Sequence, residues 1–193
     1  MVNRIKILGI NIDPLTMAET VEKVDRMIIE KSPLHLMGVN ADKINQCHSD
    51  EVIKKIVNES GIINADGASI VLAGRFLGQP IPERVAGIDL MQELLNLSNS
   101  KGYSVYFLGA KEEILQDMLS IFRVSYPKLK VVGFRNGYFT EDDEEAIQED
   151  IREKNPALVF VGITSPKKEY LIQKFLDNGL QAVFMGVGGS FDV

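Results

Sequence analysis

A single carboxylate interrupts Ile62-Ile63-Asn64-Ala65-Asp66-Gly67-Ala68-Ser69, where an apolar run gives way to small residues. An acid between a strand and a helix has two chemically distinct uses. It can cap the helix by accepting a first-turn N–H. It can also act as a general base, provided that one oxygen stays free and partial burial tunes its proton affinity. Spacing alone leaves both roles open for Asp66. In "GVGGSFD", Gly186, Gly188, Gly189 and Ser190 form a turn whose backbone N–H groups could approach a diphosphate. An ordinary tight turn has the same composition. In "GITSPKKEYLI", Thr164 and Ser165 bring hydroxyls to a helix start headed by Pro166, and Lys167, Lys168 and Glu169 add charge beside it. That pattern suits a ligand-binding helix mouth or a capped helix with surface lysines. Arg84, in the loop "IPERVAG", carries a guanidinium able to clamp a phosphate bidentately.

The remaining reactive residue types point to packing. Cys47 is the only cysteine, so no intramolecular disulfide forms and a cytoplasmic redox setting fits. Its helical context suggests a packed thiol and not a nucleophile. Neither His35 nor His48 has a Ser, Cys or acid motif beside it. No D-x-D motif stands at a strand end, so the sequence requires no metal, and no cofactor is expected. The G-x-G-x-x-G dinucleotide fingerprint and the Walker lysine motif are both absent. A net charge of −6 argues against a nucleic-acid partner, which would normally demand a basic surplus. No window approaches the ~20 apolar residues of a membrane span. Any membrane contact is expected to be peripheral.

Strands and helices must bring these residues together. In the second half, residues 103–110, 130–134, 157–164 and 182–188 are short apolar runs. Helix-length stretches near 111–125, 141–154 and 166–178 separate them. This alternation predicts a Rossmann-like parallel sheet flanked by helices. The first half is expected to form a smaller, less regular N-terminal α/β lobe. It reads as a strand or hairpin arm in "RIKILGINID", a helix opened by the capping box Thr16/Glu19, and a strand at 34–39. Helices near 41–47 and 49–59, a strand at 61–65, a helix at 67–77 and a helix ending at Gly102 follow. Thr140 and Asp143 form a second candidate capping box. The expected division is an α/β part over 1–102 carrying Asp66 and a Rossmann-like part over 103–193. The chain stops just after a strand and a glycine-rich turn, where a covering helix is expected. A further C-terminal segment is therefore anticipated.

Taken together, "GVNADKI", "INADGASIVLAGRFLGQPIPERVAGIDL", "GITSPKKE" and "MGVGGSFDV" resemble the WecG/TagA/CpsF glycosyltransferase family. The match runs in order over most of the chain, and TagA-like members of wall teichoic acid synthesis look most similar. The resemblance implies transfer of N-acetylmannosamine from its UDP sugar to undecaprenyl-diphosphate-linked N-acetylglucosamine, with inversion and without a metal. It implies that Asp66 is the catalytic aspartate, and that Asn40 and Arg84 belong to the pocket. Thr164, Pro166, Lys167 and Glu169 correspond to its T-x-P-K-x-E segment. Two positions depart from the pattern: Gly38 stands where many members carry threonine, and Lys168 where many carry glutamine. The implied partners are a UDP-sugar donor and a polyprenyl-diphosphate-linked acceptor. The inner face of the cell membrane would be reached through an arginine-rich C-terminal tail, and a homo-oligomer is possible. Alternatives are a transferase for another UDP sugar, such as N-acetylmannosaminuronic acid, or a nucleotide-binding module without catalysis.

Overall fold

The computed structural model describes residues 3–191. Its first strands, β1 (Ile5–Ile7) and β2 (Ile10–Ile12), make an antiparallel hairpin. Helix α1 (Met17–Ile29) opens with the expected capping box: Thr16 Oγ1 accepts from Glu19 N–H, and the Glu19 carboxylate accepts from Thr16 N–H. Then come β3 (Leu34–Val39), α2 (Ala41–Ser49), α3 (Glu51–Glu59), β4 (Ile62–Ala65), α4 (Ala68–Phe76) and α5 (Gly87–Lys101). Gly102, at φ +73°, ends α5 in the left-handed conformation that a glycine C-cap allows. The second half adds β5 (Ser104–Gly109), α6 (Glu112–Ser125), β6 (Lys130–Arg135), α7 (Glu144–Lys154), β7 (Leu158–Gly162), α8 (Lys167–Asp177) and β8 (Val183–Gly186). A short 3-10 turn at Glu141–Asp143 precedes α7 and carries the Thr140/Asp143 capping box.

Six of these strands form one parallel, Rossmann-like sheet in the order β4-β3-β8-β7-β5-β6. The sheet crosses the midpoint of the chain, because β3 from the first half pairs with β8 from the second, with Leu36 opposite Met185. Alternate residues of each strand face opposite layers. Leu36, Ile62, Phe107 and Phe160 pack with α1, α5 and α6, while Met37, Ile63, Tyr106 and Val159 face the helices of the other side. Burial on both faces explains why the strands read as continuous apolar runs.

The exposed edge of β4 is held by the segment that leaves the hairpin. Asp13 N donates to Ile63 O (2.8 Å), and Ile63 N donates to Asp13 Oδ2 (2.8 Å). Arg4 pairs with the Asp13 carboxylate, which is almost fully buried. This edge clamp sets the strand that delivers Asn64 and Asp66. At the other end of the chain, Phe191 packs on Gly162, where any Cβ would lie 2.5 Å from the ring. Phe191 also meets Phe107 edge-on at 5.8 Å, which anchors the glycine-rich turn to the core. Asp192 and Val193, the end of that sequence motif, lie outside the described residues.

Candidate functional site

Ligands of open α/β sheets bind beyond the carboxyl ends of the strands, where the direction of chain crossing changes. Here that point lies at β3 and β8, and a cavity of about 570 Å³ opens over the ends of β3, β4 and β8. Its size suits a small-molecule site. Asn40, Asp66 and Arg84 stand on one side; Glu169 and the turn Gly186–Ser190 stand on the other.

Strands β3 and β4 end in register, Val39 beside Ala65, so Asn40 and Asp66 emerge together. The Asp66 and Gly67 amides both donate to Val39 O, at 2.9 and 3.3 Å. Asn40 caps α2, its Oδ1 accepting from Lys43 N at 2.9 Å. Asp66 does not cap the helix that follows it. Gly67 occupies the N-cap of α4 and no side chain bonds there. Instead Asp66 Oδ1 accepts the Gly87 N–H at the start of α5, at 3.1 Å. Arg84 Nε donates to the Asp66 backbone oxygen at 2.7 Å, tying the intervening loop to the same spot. Asp66 Oδ2 has no hydrogen-bond partner among the described residues. It faces Gly38, where a Cβ would lie 3.2 Å away, and Gly87, where one would lie 3.6 Å away. One oxygen orients the half-buried carboxylate, and the other stays available to take a proton.

Across the cavity the polar groups saturate one another. Glu169 is fully buried, with Oε1 2.8 Å from Lys43 Nζ and 3.5 Å from Lys168 Nζ. Lys43 Nζ also donates to Gln46 Oε1 (2.9 Å) and Ser165 Oγ (2.6 Å). The Ser165 hydroxyl lies 2.9 Å from both Gln46 Oε1 and Glu169 Oε2 and shares its one proton between them. Burial pushes the Glu169 carboxyl up, but the Lys168 and Lys43 ammoniums and the Ser165 hydroxyl outweigh it, so it titrates below its ordinary value. Lys168 lays its stem across Gly186, where a Cβ would come 2.8 Å from Lys168 Cε. Nearby, His35 is buried, and its Nδ1 lacks a partner among the described residues. Burial lowers the His35 pKa to about 4; Glu169 opposes the shift, and Lys168 and Lys43 reinforce it.

Three residues of the T-x-P-K-x-E segment stand at the α8 start but outside the cavity wall. Thr164 lends its backbone oxygen to Lys168 N, and Pro166 is the exposed N-cap, one residue before the position expected for it. Lys167 turns away, donating to Phe139 O at 3.3 Å with its Nζ 4.5 Å from the Phe139 ring centre. Conversely, Lys43, Gln46 and Asn64 line the cavity, and sequence reasoning passed over them. A signal existed for two of them. Lys43 shares the buried stripe of α2 with Ile44 and Cys47, and Asn64 is the one polar residue in an otherwise apolar strand.

The whole sequence agrees with known proteins along nearly its full length. The family model described as Glycosyl transferase WecG/TagA/CpsF family matches residues 5–193. An N-acetylglucosaminyldiphosphoundecaprenol N-acetyl-beta-D-mannosaminyltransferase of Staphylococcus aureus strain NCTC 8325 is 30% identical over 192 residues, covering 98% of this chain and 75% of that protein. The protein of the same name from strain MRSA252 matches to the same extent. With its continuous match, its parallel sheet and its polar cavity at the strand ends, this chain belongs to the WecG/TagA/CpsF glycosyltransferase family.

Proposed function

We propose that the protein is an inverting glycosyltransferase that moves N-acetylmannosamine from UDP-N-acetylmannosamine to undecaprenyl-diphosphate-linked N-acetylglucosamine. The observation that carries this reading is the division of labour within Asp66: Oδ1 is held by Gly87 N–H and Oδ2 opens onto the cavity. Asp66 Oδ2 takes the proton of the acceptor's 4-hydroxyl as that oxygen attacks the anomeric carbon of the donor. The bond from the anomeric carbon to the diphosphate breaks on the opposite face, and UDP leaves with the electron pair. Attack from the opposite face converts an α-linked donor into a β-linked product.

The leaving diphosphate is assigned to the turn Gly186–Ser190, with Arg84 as a cationic partner across the cavity. Asn40 shapes the wall beside the base. Glu169 acts from behind, holding Lys43 and Lys168 in place, and the outward-facing Thr164, Pro166 and Lys167 support the start of α8. No helix of the described residues is long and apolar enough to cross a membrane. In this reading the lipid-linked acceptor is met at the surface of the inner leaflet. The test is transfer by the full-length protein from a panel of UDP sugars to a lipid-diphosphate N-acetylglucosamine analogue. Asp66→Asn is expected to lower kcat by about 10²–10⁴-fold, the usual contribution of a general base. Full turnover by that variant would overturn the assignment, and preference for another donor would correct the sugar.

A further inference from the structure

Asn64 is only 1% exposed, yet it borders the cavity. Its Nδ2 donates to Thr20 Oγ1 at 2.8 Å. That hydroxyl donates in turn to Thr16 O at 2.9 Å, so its proton is committed and toward Asn64 it can only accept. The amide is thereby oriented, nitrogen toward α1 and oxygen away from it. Asn64 Oδ1 has no partner among the described residues, although it is buried. A buried amide oxygen left unpaired is unfavourable and calls for an occupant.

The place for an occupant is visible in the sheet. The register partner of Asn64 is Gly38, and partners in a parallel ladder direct their side chains to the same face. Gly38 has no side chain, and Gly38, Asn64 and Asp66 all line the cavity. Asp66 Oδ2 lies 3.2 Å from where a Gly38 Cβ would stand. The cavity wall here thus carries two unpaired hydrogen-bond acceptors, a carboxylate oxygen and an amide oxygen. The diphosphate of a nucleotide sugar, fully ionised at neutral pH and so only an acceptor, is a poor fit. A sugar edge with adjacent hydroxyl groups is a good one.

We infer that Asn64 is a positioning residue for the acceptor sugar, its Oδ1 accepting a hydrogen bond from a hydroxyl next to the one that Asp66 deprotonates. This rests on the glycosyltransferase reading above. The experiment is steady-state kinetics of the full-length protein with acceptor and donor varied separately, alongside thermal melts. Asn64→Ala is expected to raise the acceptor KM about tenfold, the scale of one neutral hydrogen bond, with the donor KM near wild type. Thr20→Val removes the hydrogen bond that orients the amide but leaves its oxygen in place; it should lower Tm and raise the acceptor KM less than Asn64→Ala does. Should Asn64→Ala fold poorly, Asn64→Ser carries the same expectation. An unchanged acceptor KM in the Asn64 variants, or an equal rise in Thr20→Val, would overturn the inference and leave the transferase reading standing. Absence of transfer by the wild-type protein would overturn both.

Discussion

The cavity contains two half-sites, each built around a carboxylate. Glu169 is sealed from solvent, and both of its oxygens are taken by Lys43 and Ser165, with Lys168 close by. Asp66 is half-buried, with one oxygen engaged by Gly87 and the other unengaged. A satisfied buried network rigidifies its surroundings and has nothing left to offer a substrate. A carboxylate with one oxygen anchored and one open is oriented and still reactive. Polarity alone does not distinguish the two halves of this cavity; a carboxylate with one unengaged oxygen does, and Asn64, whose Oδ1 is also unpaired, lines the same cavity.

The contrast can be broken from either half. The largest stability effect is expected from Lys43→Met, which strands the buried Glu169 carboxylate. Removing one member of a buried pair typically costs about 3–5 kcal/mol, and Lys168 beside the same oxygen should hold the loss near the low end. Urea unfolding measures it. Asp66→Asn in the same assay should shift stability by less than about 1 kcal/mol, the scale of the single hydrogen bond at stake. If Asp66→Asn proved the more destabilising of the two, the division between structural and chemical halves would fail.

Next in size is an acid effect from the buried His35. His35 is neutral in the folded protein, with a pKa lowered from 6.5 to about 4, whereas the unfolded chain takes up a proton near 6.5. Between those values the unfolded state binds the extra proton, so stability is full above pH 6.5 and falls as pH drops toward 4. The loss amounts to roughly 3 kcal/mol at full extent. Glu169, with its lowered pKa, adds its own loss only as pH falls below its ordinary value of 4.5. His35→Gln should flatten the urea midpoint between pH 6.5 and 4.5, and an undiminished slope would assign the acid sensitivity elsewhere. The smallest effect sharpens the open half. Gly38→Ala places a methyl 3.2 Å from Asp66 Oδ2, closer than ordinary contact. It should lower kcat/KM about tenfold by displacing the proposed base, while Tm barely moves.

Much of the fold is legible in the residues. The strand at 34–39, the capping boxes Thr16/Glu19 and Thr140/Asp143, and the glycine stop at Gly102 all appear where their local chemistry places them. Each depends on neighbours a few residues away. The candidate site is legible only in part. Around a helix start, successive residues point about 100° apart, so Ser165, Lys168 and Glu169 turn toward the cavity while Lys167 turns to Phe139. Adjacent letters in one motif therefore face different environments. Asp66 likewise reads as a cap for its own helix, yet its oxygen is claimed by the start of α5.

By itself the sequence determined the alternation of strands and helices, the family, and the presence of one acid at a strand end, because these rest on periodicity, short-range capping and an ordered set of motifs. The tertiary structure alone decided that β3 would lie beside β8, bringing the two halves of the chain to one cavity. It also decided that Lys43 would neutralise Glu169, and that Gly87 would hold one oxygen of Asp66 and leave the other unengaged. These outcomes depend on strand order and on side-chain direction across the sheet, which connect residues far apart in the chain and have no local pattern from which to be read.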